Sequence, residues 1–122
     1  MQKFIIPGKL DGLNKIILAN RTNKYAGAAL KRQNENVVAL AIAAARIKPI
    51  PNPVFIKFFW YEPNKKRDKD NIASAKKMII DALVRSGIIQ NDGWKYIIGF
   101  SDSFDIDKDN PRIEVELYDR TI

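Results

Sequence analysis

The stretch VFIKFFWY, residues 54–61, decides the fold because every side chain in it except Lys57 is β-branched or aromatic. Side chains of this kind are enriched in β-strands. Pro49, Pro51 and Pro53 stand immediately before it, and proline interrupts a helix that reaches it. The sequence therefore predicts a central strand that begins directly after a stiff connection.

Upstream of this strand, the pattern predicts one long helix. Residues 25–47 contain no proline and many alanines, and Asn23 or Thr22 is a suitable N-terminal cap. Six residues fall on one broad apolar face of that helix: Leu30, Val37, Val38, Leu40, Ala41 and Ala44. Residues 4–6 form a short apolar run that predicts a first strand, and residues 14–19 suggest only a helical turn.

Downstream, residues 71–86 predict a second helix that Asp70 caps and Gly87 ends. Its sheet-facing side comprises Ile72, Ala75, Ile79, Ala82, Leu83 and Ser86. Residues 96–100 and 112–118 read as two strands, which we expect to pair as an antiparallel hairpin around the intervening loop.

This order of elements predicts an α/β (α+β) fold. Strand, helix, strand, helix, strand and strand follow one another within residues 1–122, a length typical of one domain. We expect a two-layer sandwich in which two main helices pack on a mixed four-stranded sheet.

The charge of the chain points to an anionic partner. There are 21 Lys and Arg residues against 14 Asp and Glu, which gives a formal net charge of +7. Residues 1–67 carry 13 cations and 3 acids, whereas residues 68–122 carry 8 cations and 11 acids. A basic balance favours nucleic acid or an anionic membrane surface as partner. The simpler alternative is that these charges only solubilise the surface.

The absence of cysteine and histidine restricts the chemistry of the chain. It excludes disulfides and cysteine zinc sites, and it removes the commonest general base. Acid–base or metal chemistry must then use Asp, Glu, Lys, Tyr or water. Residues 1–12 lack a signal-peptide pattern and residues 37–47 are too short to span a bilayer, so we expect a cytoplasmic protein.

The stretch KKRDKDN, residues 65–71, places two aspartates within a run of four cations. In an extended segment, residues two apart point to the same side, so Asp68 and Asp70 would repel each other without a cation between them. Mg2+ prefers oxygen ligands and accepts phosphate oxygens in its shell. We therefore hypothesise that the lysines and arginine hold a nucleic-acid backbone and the aspartates hold a metal. The alternative is a capped helix with a solvated face.

A third carboxylate is needed, because a D-x-D pair alone is weak support for a metal site. Asp92 follows the second helix. A straight helix from Asp70 to Ser86 would separate the acids by about 25 Å, at a rise of ~1.5 Å per residue. A bend, a shorter helix or a second subunit is required if the three acids are to meet.

These residues resemble the RusA-type Holliday junction resolvases. The similarity lies in RDKDN at 67–71, KMIIDAL at 77–83 and GIIQND at 87–92. That family has D-x-D-N, then K-x-x-x-D-A-L, then a glycine and a closing acidic pair. The match covers residues 65–94, with two departures: three additional residues stand between Asn71 and Lys77, and the acidic pair reads Asn91-Asp92.

The resemblance implies a Mg2+-dependent endonuclease, with Mn2+ as a substitute ion, that acts as a homodimer and belongs to phages or prophages. Such an enzyme resolves four-way junctions by paired nicks in recombination and repair. The resemblance assigns metal binding and catalysis to Asp68, Asp70 and Asp92. It assigns to Lys77 a catalytic role in contacting phosphate or stabilising charge.

We expect the DNA-binding surface to combine cations near the acids with two in the loop before the long helix: Lys65, Lys66, Arg67, Lys69, Lys77, Arg21 and Lys24. Trp94 and Tyr96 either stack on an unpaired base or fill a core edge, and the core is favoured. The alternative function is a catalytically inactive nucleic-acid-binding accessory protein of phage replication. A pure binder, however, gains nothing from acids beside phosphate.

Overall fold

Residues 1–120 are described by the computed structural model, which contains four strands and four helices. In chain order these are β1 (Gln2–Pro7), α1 (Leu13–Thr22), α2 (Lys24–Ala44), β2 (Val54–Glu62), α3 (Lys69–Ala73), α4 (Lys76–Arg85), β3 (Ile97–Ile106) and β4 (Arg112–Asp119). The strands form one mixed sheet in the order β1-β4-β2-β3. The α+β fold and the mixed four-stranded sheet expected from the sequence are therefore confirmed.

The predicted hairpin of the last two strands is wrong. Strand β3 pairs in parallel with β2, whereas β4 pairs antiparallel with both β2 and β1. The last two strands thus lie on opposite sides of β2, and residues 107–111 cross its end, where the Asp107 N–H donates to the Glu62 carbonyl at 2.8 Å. Strand β3 also continues to Ile106 and takes in most of the predicted loop. Five residues suffice for this crossing, because it spans two strand spacings of about 4.8 Å.

The core lies between one face of the sheet and helices α2 and α4. Alternate residues of β2 are buried along its length, from Val54 to Trp60. Helix α4 contributes Ile79 and Leu83, and α2 contributes Val38. The period of two in the strand and the helical spacing in α4 both direct apolar side chains to this layer.

Helix α2 begins as predicted but buries a narrower face. The Asn23 side chain accepts a hydrogen bond from the Tyr25 N–H at 2.7 Å, which confirms it as the cap. The helix ends at Ala44, and Leu40 is 72% exposed although it was expected on the buried face. Val37 and Ala44, expected on the same face, are also exposed. Val38 and Ala41 are buried as predicted, together with Gly27, Asn34 and Ile42. The segment expected to form only a turn is the complete helix α1, and it has no buried residue.

The predicted helix over residues 71–86 is divided into α3 and α4 by Ser74 and Ala75. The Ser74 hydroxyl donates to the Asn71 carbonyl and accepts from the Leu13 N–H, so it competes with regular helical bonding. The expected buried face is otherwise correct, except that Ser86 is exposed. Gly87 ends α4 with φ +74°, a conformation that glycine adopts without strain.

Asp70 is not the N-cap expected from the sequence. Asp68 precedes α3 in extended backbone, and Asp70 lies in the first turn. The helix begins earlier than predicted because the D-x-D segment itself enters it. Among the described residues, no helix is both long and apolar enough to cross a membrane.

Candidate nuclease site

Asp68 and Asp70 lie where the loop after β2 enters α3. Both line a pocket of about 680 Å³, together with Lys65, Lys69 and the end of β3. Within residues 1–120, the Asp68 carboxylate has neither a hydrogen bond nor an ion pair, and Asp70 accepts only from the neighbouring Asn71 N–H at 2.9 Å. Two exposed carboxylates with unused oxygen lone pairs thus share one acidic pocket that lysines also line.

Arg67, expected to bind DNA, is held by the protein itself. Its Nε and Nη2 donate to the two carboxylate oxygens of buried Glu62, each at 2.9 Å, and its Nη1 donates to the Leu10 carbonyl at 2.9 Å. This forked pair satisfies a carboxylate that would otherwise be costly to bury. The loop that carries Asp68 is therefore attached to the end of β2 through the pair of Arg67 with Glu62. Sequence reasoning gave Glu62 no such role, because the alternation of β2 alone does not reveal its partner.

The other cations predicted to bind DNA are differently placed. Lys65, Lys66 and Lys69 are exposed in or beside the acidic pocket. Arg21 and Lys24 are also exposed, at the end of α1 and the start of α2, and neither lines a pocket that contains the acids.

Asn71, the last residue of D-x-D-N, joins α3 to the start of α1. Its Oδ1 accepts from the Asn14 N–H at 3.1 Å, and the neighbouring Ser74 hydroxyl accepts from the Leu13 N–H at 2.8 Å. Two N–H groups that a helix start leaves unpaired are satisfied in this way. Gly12 lies so close that a Cβ there would be 2.4 Å from the Asn71 Oδ1. The motif thus contains a structural residue beside the acids.

Lys77 and Asp92 form a second group. The Lys77 Nζ lies 2.9 Å from Asp92 Oδ2 and 3.0 Å from Oδ1 of Asp81, the residue four positions further along α4. The hydrogen bond from Lys77 lowers the pKa of Asp92, and the bonds to Asp92 and then Asp81 raise the pKa of Lys77. The Lys77 ammonium thus lies between the side chains of Asp81 and Asp92.

A single chain does not bring the three predicted metal ligands together. Asp92 lines a different pocket from Asp68 and Asp70. Among residues 1–120, no three acidic side chains converge closely enough to hold a metal ion. A helix break and a shorter helix, two of the three routes left open by the sequence, are both present, yet they do not unite the acids.

Trp94 is 99% exposed, so the favoured placement of this residue in a core edge is wrong. Tyr96 is half-buried.

The two consecutive lysines of α4 differ in their placement. Lys77 is exposed, whereas Lys76 lies inward and pairs with Asp102 of β3 at 2.6 Å. Nothing in the local sequence distinguishes the two lysines, since the partner is 26 residues away.

Comparison with known protein families gives one match that covers most of the chain. The family model described as Endodeoxyribonuclease RusA matches residues 11–118. No curated protein matches the chain significantly. The matched region contains Asp68, Asp70 and Asp92 and the pockets that they line.

Proposed function

Because the chain belongs to the endodeoxyribonuclease RusA family, we propose that it is a Mg2+-dependent endonuclease that resolves four-way DNA junctions by paired nicks. The observation that carries this proposal is the pair of exposed carboxylates, Asp68 and Asp70, neither of which forms an ion pair with a described residue, in a pocket that Lys65 and Lys69 also line. A surface built only to bind phosphate would not expose such acids beside it.

The donors in this pocket fit a hard divalent cation. Carboxylate oxygens are the ligands that Mg2+ and Mn2+ accept, and those of Asp68 are not engaged by any described residue. When bound, such an ion supplies Lewis-acid stabilisation of the phosphate and lowers the pKa of a coordinated water. The protein supplies the rest: Lys65, Lys66 and Lys69 attract the DNA backbone, and the pair of Arg67 with Glu62 keeps the loop in place.

We further propose that the active form is a homodimer in which Asp92 of one chain completes the acid set of the other. Among the described residues, no three acidic side chains converge closely enough to hold a metal ion, although the family resemblance assigns three to the site. A two-fold dimer has two equivalent composite sites, which suits two nicks in opposing strands. In the isolated chain, Lys77 holds the Asp92 side chain at the surface. In the complex we assign Lys77 to the phosphate next to the cut.

Mixing two inactive variants tests this arrangement. In a dimer of Asp70→Asn with Asp92→Asn, one composite site carries both lesions and the other is intact. Mixing should therefore restore nicking to about a quarter of wild type, since half of the dimers are mixed and each has one working site. On a supercoiled cruciform plasmid the product should be open circle rather than linear DNA.

The same experiment also shows which result would contradict a composite site. If each chain held a complete site, every site in the mixture would carry a lesion and no activity would return. Asp109→Asn is a matched control, because Asp109 is an exposed aspartate that lines neither acidic pocket. It should cut both strands like wild type.

A catalytically inactive nucleic-acid-binding accessory protein is the second candidate. The observation that favours it is the separation of Asp92 from Asp68 and Asp70 within one chain. It predicts junction binding that weakens with salt, with no cut in Mg2+ or Mn2+.

A further inference from the structure

Trp94 is the most exposed of the large apolar side chains of the described residues. It stands two residues after Asp92, in the segment that links α4 to β3. The only other tryptophan of the chain, Trp60, is 1% exposed and donates its indole N–H to Asp102. Covering an indole that is wholly exposed to water is favourable, because it removes apolar surface from the solvent. The position of Trp94 beside the predicted functional residues therefore indicates a ligand-binding surface.

The indole borders a pocket with two kinds of wall. The pocket has a volume of about 300 Å³, and Trp94, Ile98 and Phe100 line its apolar side. Lys77 and Asp92 line its polar side. A nucleobase has a matching character, because its faces are apolar and its edge carries hydrogen-bond donors and acceptors.

Resting on the proposed function, we propose that Trp94 stacks on an unpaired base of the branched DNA, and that this base enters the pocket beside Lys77 and Asp92. A base paired in a duplex is stacked on its neighbours and cannot reach the pocket unless it leaves the helix. Bases at a crossover have fewer stacking partners. Trp94 then recognises branch structure rather than base identity, because every base offers a π-face.

Size and charge favour DNA over a protein partner here. Stable protein interfaces bury about 800 Å² per partner and involve about 20 to 30 residues. The apolar surface around Trp94 comprises few side chains and is interrupted by Lys77, Asp92 and Lys95. A pocket of 300 Å³ is instead at the lower end of the range for small-ligand sites, about 300–1,000 Å³. Lys77, which lines the pocket, and Lys95, which follows Trp94 in the chain, add positive charge that attracts a DNA backbone.

The fluorescence of the chain provides a direct test. Acrylamide should quench Trp94 and leave Trp60 largely unaffected, because only Trp94 is accessible. A synthetic four-way junction, added to the Asp70→Asn variant to prevent cutting, should quench the exposed emission and block acrylamide. A duplex of the same sequence should do so much less.

Substitution of Trp94 supplies the second measurement. Trp94→Ala should weaken junction binding by about five- to a hundredfold, the range expected when one stacked base is lost, while Trp94→Phe should retain most of the affinity. Duplex binding should change little. Leu40→Ala is a matched control, since Leu40 is 72% exposed on α2 and lines neither pocket.

Two results would overturn the stacking role and leave the nuclease proposal intact. In one, Trp94→Ala binds and cuts the junction like wild type. In the other, acrylamide cannot reach Trp94 before DNA is added and Trp94→Ala sediments as a monomer, which would place the indole between two copies of the chain. If the wild-type chain neither binds nor cuts a junction, the proposed function and this inference fail together.

Discussion

At position 12, contact with Asn71 leaves no room for a side chain larger than that of glycine, whereas the backbone conformation would allow one. The φ of Gly12 is −86°, which any residue adopts, but a Cβ would lie 2.4 Å from the Asn71 Oδ1. We predict that Gly12→Ala displaces the Asn71 amide, breaks its bond to the Asn14 N–H and lowers the free energy of unfolding by roughly 1–3 kcal/mol. Urea unfolding measures this loss.

A double-mutant cycle identifies the cause of that loss. Asn71→Ala removes the clashing amide, so Gly12→Ala should cost much less in the Asn71→Ala background. Equal costs in both backgrounds would show that the close contact between Gly12 and Asn71 is not responsible.

At the level of single residues, local patterns predict what depends on neighbours in sequence. The Asn23 cap and the stop at Gly87 follow from short-range rules and are confirmed. The opposite placements of Lys76 and Lys77, and the burial of Glu62 with Arg67, do not follow from such rules. They depend on contacts between elements, which a single sequence does not display.

Between elements, Asp102 joins three of them. It lies on β3, accepts from the Trp60 indole of β2 at 2.8 Å and pairs with Lys76 of α4 at 2.6 Å. The Lys76 ammonium also lies 4.0 Å from the centre of the Phe100 ring, an additional cation–π contact. This network attaches the helix that carries Lys77 to the edge strand that follows Asp92 and Trp94.

We predict that Asp102→Ala lowers the free energy of unfolding by about 2–3 kcal/mol, because it leaves a mostly buried ammonium and an indole N–H without their acceptor. Asp109→Ala, in the exposed loop after β3, should change the free energy of unfolding by less than about 0.5 kcal/mol. Urea denaturation at neutral pH measures both. Similar values for the two variants would contradict a role for Asp102 in stability.

The number and type of elements follow from the sequence better than their pairing does. The run of β-branched and aromatic side chains predicts β2, and the proline-free, alanine-rich stretch predicts α2. Proximity in sequence suggested a hairpin of β3 with β4, yet β2 lies between them. The apolar residues of β2 predict which face of the strand is buried. They do not specify which strands pair with its two edges. The division of the second helix depends on the contact of Ser74 with α1 and was equally hidden.

For the whole molecule, stability should depend on acidic pH through the sheet. Glu114 of β4 pairs with Lys3 of β1 at 2.7 Å and with Arg112 at 2.6 Å. The hydrogen bond from Lys3, and to a smaller extent that from Arg112, lower the pKa of Glu114 from the usual 4.5. A lowered pKa in the folded state contributes stability that is present above pH 4.5 and is lost as the pH falls through the folded value.

We predict that Glu114→Gln is less stable than wild type by about 1 kcal/mol at pH 7. The difference should shrink as the pH is lowered below 4.5, because wild-type Glu114 then takes up its proton. Thermal unfolding between pH 7 and pH 3 checks this. A difference that stays constant over that range would show that the carboxylate contributes through packing rather than charge.

The measurement that most directly tests the proposed function is cleavage of a synthetic four-way junction. Wild-type chain, Asp70→Asn and a plain duplex of the same sequence are compared with Mg2+ and with EDTA. We predict symmetric nicks in opposing strands of the junction alone, lost in EDTA and reduced at least about a hundredfold in Asp70→Asn while junction binding persists. Tight, salt-sensitive binding with no cut in Mg2+ or Mn2+, or equal cutting by Asp70→Asn, would contradict a metal-dependent resolvase built on Asp68 and Asp70.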